Sequence, residues 1–162
     1  MKCLAALCVV AGLVAFAEEP KNLLKPINKL ETWRFEKHEG GDGTLKIDGD
    51  KVVLASTKVT GTDWHVQAIL PNLDLKEGQT YVLKFKAKAD RLCTIGVHAM
   101  LDEEDWHEIG LGEQIMLGKT AADHEFRFRA YSVSPRKKNR IALVLGHEEC
   151  AVTIEAMTLV EK

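Results

Sequence analysis

No segment of the 162-residue sequence repeats apolar residues at the three-to-four spacing of an amphipathic helix, and no internal repeat of fixed period occurs. Helical bundles and solenoids are excluded on that ground. Lys and Arg number 22 against 24 Asp and Glu, and the densest basic run, Arg136-Lys137-Lys138, is a short loop. A nucleic-acid partner needs a basic face and is not expected. Six histidines are present, yet none falls in H-x-H or H-E-x-x-H and no paired C-x-x-C exists, so a zinc site has no framework. G-x-S-x-G, the P-loop and G-x-G-x-x-G are missing too; Gly110-Leu111-Gly112 lies in a predicted strand and matches none of them. Carboxylates gather in loops, at Asp102 to Asp105 and at Glu148-Glu149, without the defined acid/base pair that glycoside cleavage needs.

What the sequence does have begins with a leader. Met1-Lys2 precedes an apolar run from Cys3 to Phe16, and Ala15-Phe16-Ala17 stands before Glu18-Glu19-Pro20. This is the make-up of a secretory signal peptide over residues 1–17, cut near Ala17. The run is shorter than the roughly 20 residues that span a bilayer, and no other stretch comes close. A secreted, periplasmic or extracellular protein is expected. Cleavage removes Cys3 and Cys8 and leaves Cys93 and Cys150, an even pair in an oxidising compartment. Two readings stay open for that pair, a disulfide or two buried thiols.

Residues 18–29 mix charge with Pro20 and Pro26 and read as a tether or edge segment before a domain at 30–162. Within the domain, period-two alternation dominates. Tyr81, Leu83, Phe85, Ala87 and Ala89 oppose Lys84, Lys86 and Lys88, the pattern of a strand buried on one side. Cys93, Ile95, Val97, Ala99 and Leu101 likewise oppose Thr94, His98 and Met100. Trp64, Val66, Ala68 and Leu70 are assigned inward, and His65 and Gln67 outward. Thr44–Asp48 and Lys51–Ala55 flank Gly49-Asp50, a hairpin signal. About nine strands at close spacing predict an all-β sandwich or barrel.

W-x-V-Q at Trp64 to Gln67 is followed by L-x-L-x-x-G-x-x-Y-x-L-x-F-x-A-K-A from Leu73 to Ala89. Arg140 to Gly146 and Val152 to Leu159 then supply two closing strands. This ordered set, over Asn22 to Val160, resembles the carbohydrate-binding modules of families 4, 9 and 22. The resemblance implies a galactose-binding-domain-like jelly roll, a β-sandwich of two antiparallel sheets. One sheet would take the strands around Val53, Ile154, Leu83 and Phe128, the other those around Val66, Leu143, Val97 and Leu111. Cys93 and Cys150 would then lie at one end of the sandwich.

In that arrangement the outward side of the second sheet gathers His65, Gln67, His98, Glu108, Gln114 and Arg140. Gly96, Gly110, Gly112 and Ala142 are expected to make it dip. Amides, imidazoles and a guanidinium can pair with sugar hydroxyls, which both donate and accept, and Trp106 would offer a platform for a sugar ring. The expected ligand is an oligo- or polysaccharide, held without catalysis on the concave sheet face. No cofactor is expected beyond a structural calcium, which the resemblance implies with Glu31 and Glu155 as oxygen ligands. Two alternatives stand beside this one. A structural or protein-interaction sandwich without a sugar site is favoured by the shortage of groove aromatics, and a small glycan-active enzyme would rely on Glu108 or Asp105.

Overall fold

The protein is described here from a computed structural model covering residues 20–162. The expected leader, with Cys3, Cys8 and the cleavage point near Ala17, lies outside the described residues. Alternating sequence becomes strand nearly throughout. In chain order these are β1 (Arg34–Lys37), β2 (Asp42–Asp48), β3 (Lys51–Lys58), β4 (Val66–Leu73) and β5 (Thr80–Ala89). They are followed by β6 (Cys93–Leu101), β7 (Glu108–Leu117), β8 (Ala122–Arg129), β9 (Asn139–Val144) and β10 (Cys150–Glu161). The described residues hold these ten strands, in keeping with the about nine expected; the four-residue β1 is too short for its alternation to register.

Two five-stranded antiparallel sheets result, ordered β1-β4-β9-β6-β7 and β2-β3-β10-β5-β8. This is the jelly-roll sandwich, with the eight strands named from sequence each in the expected sheet. Inward residues of both layers meet in one core. Leu54, Leu83, Ile154 and Leu159 from one sheet and Val66, Ile95, Ile141 and Leu143 from the other are fully buried. Each such side chain contributes roughly 1.5–3 kcal/mol on burial. The segment before β1 packs on the same core. Leu24 and Ile27 are buried, Leu23 N–H donates to Leu159 O at 2.8 Å, and the Trp33 indole donates to Ile27 O at 2.7 Å.

Two glycines set the geometry. Gly49 (φ +63°) opens the two-residue β2–β3 turn, where a left-handed first position matches the strand twist. Gly110 (φ +121°) sits in a bulge: Ala99 pairs with Leu111 but Met100 pairs with Glu108. A Cβ on Gly110 would strike the Arg129 backbone.

One sequence expectation is corrected. Trp64 is not a core residue. Asp63–His65 forms a turn of 3-10 helix before β4, which breaks the alternation, leaves Trp64 47 % exposed and buries His65 instead. Of the two readings left open for Cys93 and Cys150, which lie at one end of the sandwich on facing sheets, the structure has the buried thiols, free among the described residues. Burial pushes both thiol pKa values up, with the neighbouring thiol raising that of Cys93 further.

Candidate functional site

Register decides which polar residues share the outer face of the β1-β4-β9-β6-β7 sheet. One cross-strand row runs Glu36, Gln67, Val144, Gly96, Gln114, and the next runs Arg34, Ile69, Ala142, His98, Gly112. Beyond these, Arg140, Met100 and Glu108 form a third row. The rows floor an open trough of about 670 Å³. Residues Arg34, Glu36, His38, Asp63, Gln67 and Glu108 line it with Trp64 and Trp106.

The two tryptophans occupy diagonal corners. Trp64 precedes β4 and Trp106 follows β6. These strands are both antiparallel to the intervening β9, so the start of one and the end of the other lie at opposite ends of the sheet. His38 and His65 hold Trp64, with ring centroids 5.4 Å and 4.2 Å away, the latter edge-on. Trp106 is 53 % exposed in the β6–β7 loop.

Beneath the Trp106 end lies a charge network. Arg34 makes a bidentate pair with Asp102, Nη1 to Oδ2 at 2.8 Å and Nη2 to Oδ1 at 2.5 Å, while its Nε donates to Glu36 at 2.6 Å. Arg140, 5 % exposed, has Nη1 3.5 Å from the same Asp102 and an Nε with no partner among the described residues. The Arg34 hydrogen bonds hold the Asp102 carboxyl below its usual range. Burial pushes the Arg140 guanidinium below its own, and Asp102 opposes that shift.

The glycines do not dip the floor as expected. The space above Gly96 is taken by the His98 ring and Val144, and that above Gly112 by the Glu108 carboxylate, while Gly110 abuts the Arg129 backbone. Absence of side chains here lets Glu108 fold back and accept from His98 Nδ1 at 2.8 Å. The imidazole is thereby locked, its Nε2 sealed without a partner among the described residues.

Of the residues singled out in sequence, Gln67, His98, Trp106, Glu108 and Arg140 meet in the trough. His65 does not line it: the 3-10 turn swings its Nδ1 to Thr60 Oγ1, 2.6 Å away, and it acts from behind Trp64. Gln114 lies on the same face, outside the lining, 3.3 Å from His147 Nε2. Arg34, Glu36 and His38 were missed, although they alternate along β1 and its exit, because four residues are too few for that alternation to register. Glu155 is paired with Lys51 at 2.9 Å, and Glu31 lies in a 3-10 turn at Leu30–Thr32. Among the described residues no three or more His, Cys, Asp or Glu groups cluster as metal ligands.

A family model described as a carbohydrate binding domain matches residues 21–147. No curated protein matches the sequence. Among solved structures, one described as CBM4 superposes with a TM-score of 0.74 at 18 % identity, covering 90 % of this chain and 96 % of that one. The N-terminal cellulose-binding domain of Cellulomonas fimi β-1,4-glucanase C gives 0.63 at 17 %, covering 83 % and 91 %. A family 11 carbohydrate-binding module from Clostridium thermocellum, in complex with a β-1,3-1,4-mixed-linked tetrasaccharide, gives 0.60 at 14 %, covering 86 % and 94 %.

Proposed function

The chain belongs to the carbohydrate-binding domain family matched over residues 21–147, and from that premise we propose that it is an exported, non-catalytic module that binds a glycan chain in the trough between Trp64 and Trp106. The observation that carries this reading is the pair of exposed indoles at diagonal corners of a floor that mixes Gln67, His98 and Arg140 with Val144 and Met100. Apolar ring faces suit the C–H faces of sugars, and the acceptors and donors between them suit hydroxyls. The shortage of groove aromatics that favoured a purely structural sandwich is lessened by Trp64, which was assigned to the core. Glu108 is engaged by His98 and Asp105 by His107, which supports a binding role over glycoside cleavage.

A few hydrogen bonds near 1 kcal/mol net each and two ring contacts correspond to affinities on the order of micromolar to millimolar. Calorimetry and affinity electrophoresis against soluble glycans test this. Trp64→Ala and Trp106→Ala should each weaken binding roughly three- to tenfold at unchanged melting temperature. A folded protein that retards on no glycan would falsify the assignment.

A further inference from the structure

The Trp106 corner is held by an imidazole whose two ring nitrogens both face acceptors. His107 Nδ1 lies 2.5 Å from Asp105 Oδ1, and Nε2 lies 3.1 Å from the Ser132 carbonyl. A carboxylate and a carbonyl can only accept, so both contacts are hydrogen bonds only when the ring carries two protons. The doubly bonded ring ties the β6–β7 loop to the segment after β8. Between the tied points Asp105 (φ +74°) and Trp106 (φ +40°) are both left-handed, a conformation that non-glycine residues hold only when their surroundings impose it.

We propose that His107, as an imidazolium, is the positioning residue that keeps Trp106 in the trough, so that glycan affinity falls when His107 loses its proton. This rests on the trough being the glycan site. Of the charged groups on the adjoining segments, Glu77 accepts Val133 N–H, Asp102 pairs with Arg34, Glu103 takes the Ser134 hydroxyl and Arg136, and Glu108 holds His98, while Glu104 is exposed and has no ion pair among the described residues. Asp105 is the one acid paired with His107 among the described residues. Its hydrogen bond raises the His107 pKa above the ordinary value, so the latch is closed in mild acid and opens as pH rises through that raised value.

Indole N–H resonances report on the latch without any ligand. The chain has three tryptophans, and the Trp106 signal is assigned by its loss in Trp106→Phe. Between about pH 6 and about pH 9 it should shift with the same midpoint as the His107 ring. The shift should vanish in His107→Gln, and its midpoint should fall in Asp105→Asn. Over the same range the affinity of the wild type for a soluble glycan should weaken roughly three- to tenfold, and that of His107→Gln should stay at the weaker level. A Trp106 signal indifferent to pH, or a pH effect that survives in His107→Gln, overturns the proposal. A titrating Trp106 in a protein that binds no glycan at any pH would instead overturn the glycan reading and leave the coupling of His107 to Trp106 standing.

Discussion

Replacing Asp102 by Ala is expected to unfold the sandwich about 10 °C earlier. The carboxylate, 8 % exposed, is shared by Arg34 and Arg140. Its removal acts unequally on the two. Arg34 is 40 % exposed, keeps Glu36 and can turn to solvent, so little of the penalty arises there. Arg140 is enclosed, its Nε already unpartnered and its other donor only 3.8 Å from Met100 Sδ. An uncompensated buried charge costs about 3–5 kcal/mol, and the partial solvation of Arg34 argues for about 3 kcal/mol. For roughly 140 ordered residues at about 2.1 cal/mol/K each, that is about 10 °C in Tm. Calorimetry of Asp102→Ala, Arg140→Met and the double variant checks it, with the double variant expected to recover most of the loss. A fall under about 3 °C for Asp102→Ala, or a double variant no more stable than that single one, would show that Arg140 does not depend on this carboxylate. Because Asp102 is held below the ordinary carboxylate value, its contribution is present above about pH 4 and disappears as pH falls through its folded value. The penalty should therefore shrink in acid.

His124 points into the sandwich edge beside Phe85, ring centroids 5.4 Å apart, with Nε2 buried and without a partner among the described residues. Burial lowers its pKa, so folding favours the neutral ring; that stability is present above about pH 6.5 and is lost as pH falls toward the folded value. His124→Phe should flatten the Tm against pH profile between about pH 7.5 and about pH 5, and an unchanged slope would refute the assignment. Cys93 and Cys150, both buried and raised in pKa, should react with a thiol-specific disulfide reagent at least about a hundredfold more slowly in native than in denatured protein. Peptide mapping without reductant that recovered them joined would contradict the thiol state.

Much of the fold was legible because the strands state their burial. Tyr81 to Ala89 alternates against three lysines, and β5 spans Thr80–Ala89 with that phase intact. The Gly49-Asp50 turn followed from an equally local cue, whereas the division of strands between sheets followed from the resemblance to the carbohydrate-binding modules, since no local pattern assigns a strand to a layer. The site was legible only in part. Gln67, His98 and Glu108 lie at outward positions of strands whose phase was correct, so register brought them together. Trp64 and His65 exchanged places because a 3-10 turn has no period-two signal. Asp102 stands in an acidic run that looks solvated; its burial comes from Arg34, 68 residues away in sequence, which no local pattern records. The glycines pointed to the right face for the wrong reason, since the room they leave is filled by His98 and Glu108.

Strand β10 lies between β3 and β5, at the middle of its sheet. A polypeptide emerging from the ribosome cannot zip that layer together until this segment appears, and meanwhile the flanking ladders stay open. Assembly is thereby deferred until after Cys150–Glu161 has been synthesised, and a shortened product ending before it would be left to aggregation and proteolysis.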